Sequence, residues 1–345
     1  MRSSLRPLPS LAPAAPPLRS EQLGELARLV GRASRLLLLT GAGVSTHSGI
    51  PDYRSPNGSY SKGHKPIQHS EFVQSEAMRR RYWARSYVGF GYFSRARPNA
   101  AHVAAAHMEA RSLLRGGVVT QNVDGLHQAA GSSAVLDLHG RIDAVECLNC
   151  GEVSSRHHLQ DRLAGLNDGW LRRMGLQGTA ATATIRADGD AELTMEACAT
   201  FEVPACEACK TGVLKPGVTF FGGSVPAATV EAAREAVAHA DALLVVGSSV
   251  HTFSAFRLVK QAVDAGTPVA LLNIGPSRAD PIASLNVQAD AAHVLPAIVG
   301  ELCGAETERE VRRVATNTAE SGSLTSSASP SSSQSMCEME AIASR

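Results

Sequence analysis

Residues 36–54 read LLLLTGAGVSTHSGIPDYR. A short apolar run ends in Thr40 and gives way at once to Gly41, Ala42, Gly43, Ser45 and Gly49, then to Asp52, Tyr53 and Arg54. That is the pattern of a strand feeding a nucleotide-phosphate loop. Glycine lets the backbone turn sharply and bring its N–H groups against a pyrophosphate, and a following helix N-terminus favours the anion. Thr46 stands where a GxGxxG motif has its third Gly or Ala, so the loop alone is a weak signal, and glycines that merely close a strand-to-helix turn are the other reading.

The flanking chain repeats the alternation. Leu23, Leu26, Ala27 and Val30 have helical spacing before the first strand. An Ala-rich helix over 100–114 leads to a strand at 117–120, whose exit carries TQNVDGLH, and a further strand at 135–138 runs into His139 and Gly140. A helix over 227–239, a strand at 242–246 ending in GSS, a helix over 253–265 and a strand at 268–272 ending in NIG follow. A short strand at 292–295 and a helix from Pro296 are expected to close the domain. This alternation predicts an α/β fold with a doubly wound, Rossmann-like parallel sheet. Ligands bind such sheets at the carboxyl ends of the strands, and every polar or glycine-rich exit just named lies at such an end.

Residues 51–97 show no strand alternation and read as a long loop plus helices of a smaller second domain. Cys147 with Cys150, and Cys206 with Cys209, form two CxxC pairs, the spacing of metal ligation in a reducing compartment. Four thiolates close a tetrahedral zinc shell with no open position, so this zinc is structural and contributes roughly 10–16 kcal/mol to ordering its module. The stretch between the pairs is too long for a zinc loop and holds an insertion. Cys198, Cys303 and Cys337 read as single thiols.

The net charge of +1 gives no pull toward nucleic acid or anionic membrane, and no apolar run approaches the ~20 residues needed to span a bilayer. Around the cysteines, residues 141–218 carry eight basic against eleven acidic residues, which argues against a nucleic-acid-binding zinc ribbon. Residues 1–20 contain Arg2, Arg6 and Arg19 and no acid, as a mitochondrial transit peptide does, although five prolines spoil an amphipathic helix. A disordered extension is the other reading, and either lies outside the fold. From Glu306 the chain turns charged and then Ser-rich, and is expected to be a disordered tail.

His139 directly follows a strand, which places it at the crevice, where an imidazole can act as general base near neutral pH. His127 is its rival. Asn122 and Asp124 can hydrogen-bond ribose hydroxyls or an amide, or simply build a turn.

GAGVSTHSGIPDYRS, TQNVDGLH, LHG before the first CxxC, the second CxxC, VVGSSV and LNIGP occur in the order seen in sirtuins, the NAD-dependent protein deacylases, and the chain resembles that family over residues ~21–303. KPIQHSEF, RRRYWARSYVGF, FEVPACEAC and LLNIGPSRAD are similar to its class II, sirtuin-4-like branch. The resemblance implies an NAD-binding domain from 21–50, 98–140 and 219–303, a small helical and zinc-ribbon domain from 51–97 and 141–218, and terminal extensions at 1–20 and 304–345. It makes 41–60 the loop that wraps NAD, with Gly41, Ala42, Gly43, Ser45, Asp52, Tyr53 and Arg54 as cofactor contacts. Gln121, Asn122 and Asp124 would hold the nicotinamide ribose and amide. Gly247, Ser248 and Ser249 would take the phosphates and adenine ribose, and Asn273, Ile274, Gly275 and Ala291 would border the adenosine. His139 becomes the base, with Asn122 and Asp124 beside it in the catalytic set.

The implied chemistry consumes NAD. The acyl-lysine oxygen attacks C1′ of the nicotinamide ribose as nicotinamide leaves. The base then activates a ribose hydroxyl, and free lysine departs with O-acyl-ADP-ribose. Acyl-lysine proteins would add as a strand between 220–223 and 249–253. Tyr82 and Arg85, a YxxR step on one helix face, resemble the acyl pocket of sirtuins that prefer acidic acyl groups, which implies dicarboxylic substrates. Two departures loosen the peptide strand: Gly223 stands where most of the family has an acid, and Gly217 replaces a common acid or polar residue. The expected partners are acyl-lysine proteins and NAD, with no nucleic acid and no membrane, in the mitochondrial matrix or alternatively the cytoplasm. Mono-ADP-ribosyl transfer or lipoamidase activity through the same activated ribose, and a non-catalytic NAD-sensing zinc protein, are the alternatives.

Overall fold

Four consecutive leucines, Leu36 to Leu39, supply both layers of the core. Alternate side chains of a strand point to opposite faces, so Leu36 and Leu38 join one apolar cluster and Leu37 and Leu39 the other, all within 1% of full burial. A strand apolar on both faces belongs in the middle of a parallel sheet covered by helices.

The computed structural model describes residues 8–175 and 186–320. The chain begins with α1 (Ser20–Arg32), β1 (Leu36–Thr40), a 3₁₀ helix (Ala42–Ser48), α2 (His69–Gln74), α3 (Glu76–Phe93), α4 (Ala100–Ala110), β2 (Val118–Thr120), α5 (Leu126–Ala129) and β3 (Val135–Asp137). Then come β4 (Gly140–Cys147), β5 (Val153–Ser155), α6 (Arg156–Leu166), α7 (Trp170–Arg173), α8 (Met195–Ala199) and β6 (Leu214–Val218). The last part is α9 (Ala227–Ala238), β7 (Ala242–Val246), α10 (Phe253–Asp264), β8 (Val269–Asn273), β9 (Leu285–Gln288), α11 (Ala291–Cys303) and α12 (Ala305–Glu320).

Six strands form one parallel sheet in the order β3-β2-β1-β7-β8-β9. The order reverses between β1 and β7, the switch point at which a doubly wound sheet opens a crevice. A second, antiparallel sheet of order β5-β4-β6 packs with α2, α3 and α6 around Trp83, Leu163, Trp170 and Phe201. Gly217 lies in β6, where a side chain would strike Ala144 Cβ at 2.9 Å, so close packing against β4 requires glycine there.

Three expectations are corrected. Residues 292–295 are helical, because Asp290 accepts the Ala292 N–H at 2.9 Å and caps α11 at its start, and the strand lies earlier, at Leu285–Gln288. Pro296 sits inside that helix and does not begin it. The expected tail begins with a helix, α12, whose Val311 and Ala315 are buried against α4 and α11. The remainder of the Ser-rich segment lies outside the described residues. Residues 8–19 have no regular structure yet join the fold: the Leu11 N–H donates to Thr46 O at 2.9 Å, and Leu8 packs on the cluster around Ile50.

Candidate active site

A crevice of about 2020 Å³ opens over the β1 and β7 exits. That is well above the roughly 300–1,000 Å³ of a site for one drug-sized ligand, so it has room for a dinucleotide and part of a second substrate. Its floor is backbone. The Gly43 N–H donates to Gly247 O at 2.8 Å, and a Cβ on Gly43 would lie 2.8 Å from that oxygen. Gly41 is held equally close to Ser248. The two exits touch because neither glycine has a side chain, which explains the tight turn better than a GxGxxG spacing does.

The wall of the crevice includes Gly41, Ala42, Gly43, Asp52, Tyr53 and Arg54 on one side, and Gln121, Asn122 and His139 in the middle. Gly247, Ser248, Ser249, Asn273, Ile274, Gly275 and Ala291 complete it on the other. Asp52 Oδ1 accepts the N–H groups of Arg54 and Ser55 at 2.9 and 2.8 Å and so shapes the polar loop. The Arg54 guanidinium stacks on Tyr60 at 5.1 Å. Burial pushes the Tyr53 phenol well above its ordinary range, so it stays a neutral donor.

Ser45 and Asp124 do not reach the wall; they lie in a polar layer beneath it. Ser45 Oγ donates to Asp124 Oδ2 at 2.7 Å and accepts from Asn122 Nδ2 at 3.0 Å. His102, which the sequence reading missed, contacts the same oxygen through Nε2 at 3.3 Å while its Nδ1 accepts the Asn99 N–H. His127 is buried against Thr40 Oγ1 at 3.1 Å, away from the crevice, so it is no rival to His139. Burial lowers both His102 and His127 to about 3, so both are neutral.

His139 is held at both ring nitrogens. Nδ1 lies 3.0 Å from the Gln121 carbonyl, which can only accept, so Nδ1 carries the proton. Nε2 therefore presents its lone pair and accepts from Ser254 Oγ at 2.8 Å. Burial lowers the imidazole below the usual histidine range. Ser254, in the first turn of α10, gives no sequence signal beyond its place eight residues into the exit of β7.

Tyr82 reaches the crevice wall; Arg85 does not. Arg85 is buried, with Nε donating to Ala191 O at 2.9 Å and Nη2 facing Asp190 Oδ2 at 3.6 Å. Neither the crevice position implied by YxxR nor a free surface arginine describes it, because the insertion between the CxxC pairs folds back over α3 and claims the guanidinium.

Cys147, Cys150, Cys206 and Cys209 bring their sulfurs within 4.8 Å of one another. Sγ–Sγ distances of 3.7 Å (Cys147–Cys209) and 3.8 Å (Cys150–Cys206) match the roughly 3.8 Å between thiolates bound ~2.3 Å from a tetrahedral zinc. Gly212 leaves the space beside Cys147 and Cys209 that a Cβ would fill. The donor set suits one structural zinc.

The sequence matches the Sir2 family model over residues 41–254. It is 45% identical to the NAD-dependent protein deacylase SRT2 of Arabidopsis thaliana over 83% of this chain and 78% of that one. It is 44% identical to the mitochondrial NAD-dependent protein lipoamidase sirtuin-4 of Bos taurus over 86% of this chain and 91% of that one. Among solved structures, a Sir2 complex with a p53 peptide and NAD+ superposes with a TM-score of 0.61 at 26% identity, covering 81% of this chain and 98% of that one.

Proposed function

The chain belongs to the Sir2 family and is an NAD-dependent protein deacylase, and we propose that His139 is its general base. The observation that supports this role is the His139 tautomer, with Nδ1–H spent on the Gln121 carbonyl and the Nε2 lone pair accepting from Ser254 Oγ at the crevice wall. A base must be neutral and within reach of the proton it removes, and this arrangement meets the first condition by burial and the second by position.

NAD and acyl-lysine proteins are the substrates, and NAD supplies the ribose that accepts the acyl group and the nicotinamide that leaves. Gly41, Gly43 and Gly247 let the β1 and β7 exits meet, since a Cβ at any of them would strike the other exit, and we assign the pyrophosphate to the crevice over that junction at the switch point. We assign Asn273, Ile274, Gly275 and Ala291 to the adenosine end, with Ser248 and Ser249 beside the phosphates. At the nicotinamide end we assign Asp52, Tyr53, Arg54, Gln121 and Asn122, with Ala42 on the loop above and Asp124 acting through Ser45. The substrate strand is proposed between 220–223 and 249–253. The His69 N–H already takes the Phe221 carbonyl at 2.8 Å, so addition uses the opposite edge. With Arg85 buried off the crevice and its Nε donating to the Ala191 carbonyl, no preference for dicarboxylic acyl groups is proposed.

Mass spectrometry of products from NAD and a panel of acetyl-, longer-acyl-, glutaryl- and lipoyl-lysine peptides tests this reading. O-acyl-ADP-ribose from wild type and its loss in His139→Ala are expected. ADP-ribose attached to an acceptor protein would instead mean transferase chemistry, and unchanged product from His139→Ala would remove the assigned base. Mitochondrial residence is proposed from the arginine-bearing N-terminal residues and from the location in the bovine relative's name. A C-terminal fluorescent fusion found in the cytosol of a eukaryotic cell would overturn it.

A further inference from the structure

The crevice extends beyond His139 and Ser254 into a lip between α9 and α10. Phe253, Arg257, Lys260 and Asp264 follow one another at helical spacing along α10, and Arg234 faces them from α9. Gln261 Nε2 donates to Arg234 O at 2.8 Å and ties the two helices together. Phe253 is 67% exposed, the most exposed large apolar side chain among the described residues, and Arg278 stacks on its ring at 4.9 Å.

The charges of this lip do not cancel. Lys260 and Asp264 neutralise each other at 2.7 Å. Arg234 and Arg257 are exposed and have no ion-pair partner among the described residues. Glu231 and Glu235, also exposed on α9, are not among the residues that line the crevice. The opposite side is residues 220–225, FFGGSV, with no acid, because Gly223 stands where the family resemblance leads one to expect one. A cationic rim around an exposed aromatic anchor, continuous with a catalytic crevice, complements an anionic partner.

We propose that the α9–α10 lip docks an acidic segment of the protein substrate flanking the acyl-lysine, with Arg234 and Arg257 meeting carboxylates and Phe253 covering the chain between them. The inference rests on the deacylase reading, since it takes the occupant of the lip to be the polypeptide that presents the acyl-lysine. Exposed charge pairs are each worth only a few-fold in affinity, so the two arginines together give about tenfold.

The test uses the full chain and fluorescein-labelled peptides with one acyl-lysine and flanks of Asp/Glu, Ser/Ala or Lys/Arg. Anisotropy without NAD should show the acid-flanked peptide binding about tenfold tighter than the base-flanked one at low salt, with the gap narrowing as salt screens it. Arg234→Glu with Arg257→Glu should invert the order, and Arg234→Gln with Arg257→Gln should flatten it, the second pair guarding against a folding defect in the first. Equal binding of the three flanks, or an unchanged order in both double variants, would overturn the docking surface. Nicotinamide release with NAD is read separately. Flank discrimination without release retains the surface and removes the deacylase reading, whereas release without discrimination does the reverse.

Discussion

Ser45 Oγ donates to Asp124 Oδ2 at 2.7 Å, one layer beneath the residues that touch the crevice. With its proton spent there, the hydroxyl can only accept from Asn122 Nδ2 and His102 Nε2. His102 supplies that hydrogen because its Nδ1 already accepts the Asn99 N–H. The amide of Asn122 is thereby oriented, its nitrogen turned down to Ser45 and its oxygen left toward the crevice.

Ser45→Ala removes one hydroxyl and leaves a buried amide and a part-buried carboxylate each short of a partner. A loss of about 1–3 kcal/mol in stability is expected from urea unfolding. The kcat/KM for NAD should fall at least about tenfold, since Asn122 is free to rotate. A stability loss with unchanged NAD kinetics would mean that the layer supports the fold alone.

The sheet was legible because its signals are local: an apolar run of strand length, glycines at its end, and the same pattern repeated. The zinc ligands were legible for the same reason, CxxC being a contact between near neighbours. What escaped depends on tertiary neighbours. AHVL at 292–295 has strand-like composition, and only the Asp290 cap makes it helical. In α12, Val311 and Ala315 are spaced for one helix face, but the surrounding charges concealed it. His102 sits in an Ala-rich helix with nothing beside it in sequence to suggest Ser45. Arg85 was misplaced because the carbonyl that takes its Nε–H, on Ala191, lies 106 residues away.

His139 should set the acid limb of the pH profile. Burial lowers its pKa below the ordinary 6.5, so the neutral, proton-accepting form already dominates at neutral pH. The kcat/KM should be flat from about pH 7 upward on this account and fall only below the usual histidine value. His139→Ala should cost ~10²–10⁴ and abolish that limb. An acid limb of unchanged position in His139→Ala would assign it to another group.

Asp190 should make stability fall as pH rises. Its carboxyl is fully buried, Arg85 is too far for a hydrogen bond at 3.6 Å, and Oδ1 has no partner among the described atoms. Burial therefore outweighs the nearby arginines and pushes it up to about 8. A folded pKa above the unfolded one means that the stability contributed by the neutral acid is present at low pH and lost between about pH 4 and 8. Asp190→Asn, which cannot titrate, should gain on wild type by about 3 kcal/mol between pH 5 and pH 8 in urea unfolding, at ~1.4 kcal/mol per unit with some relaxation. A gap that does not change with pH would show that Arg85 keeps the carboxylate charged.

Zinc should hold His139 in place indirectly. Cys147 ends β4, the strand that begins at Gly140 next to His139, and β4 pairs with β6, which leads through Thr219 to the 220–223 segment. The Thr219 N–H donates to His139 O at 2.8 Å, so the small sheet and the base share one backbone contact. The chain should contain one zinc per molecule by elemental analysis, and Cys150→Ser or a strong chelator should remove it. The loss is expected to unfold the β5-β4-β6 sheet first, as structural zinc contributes roughly 10–16 kcal/mol to folding such modules. Hydrogen exchange should then rise across 140–155 and 214–218 while β1, β7 and β8 stay protected, because their packing against α4, α10 and α11 does not pass through the cysteines. Uniform protection after the metal is gone would mean that the four thiols pack the module unaided.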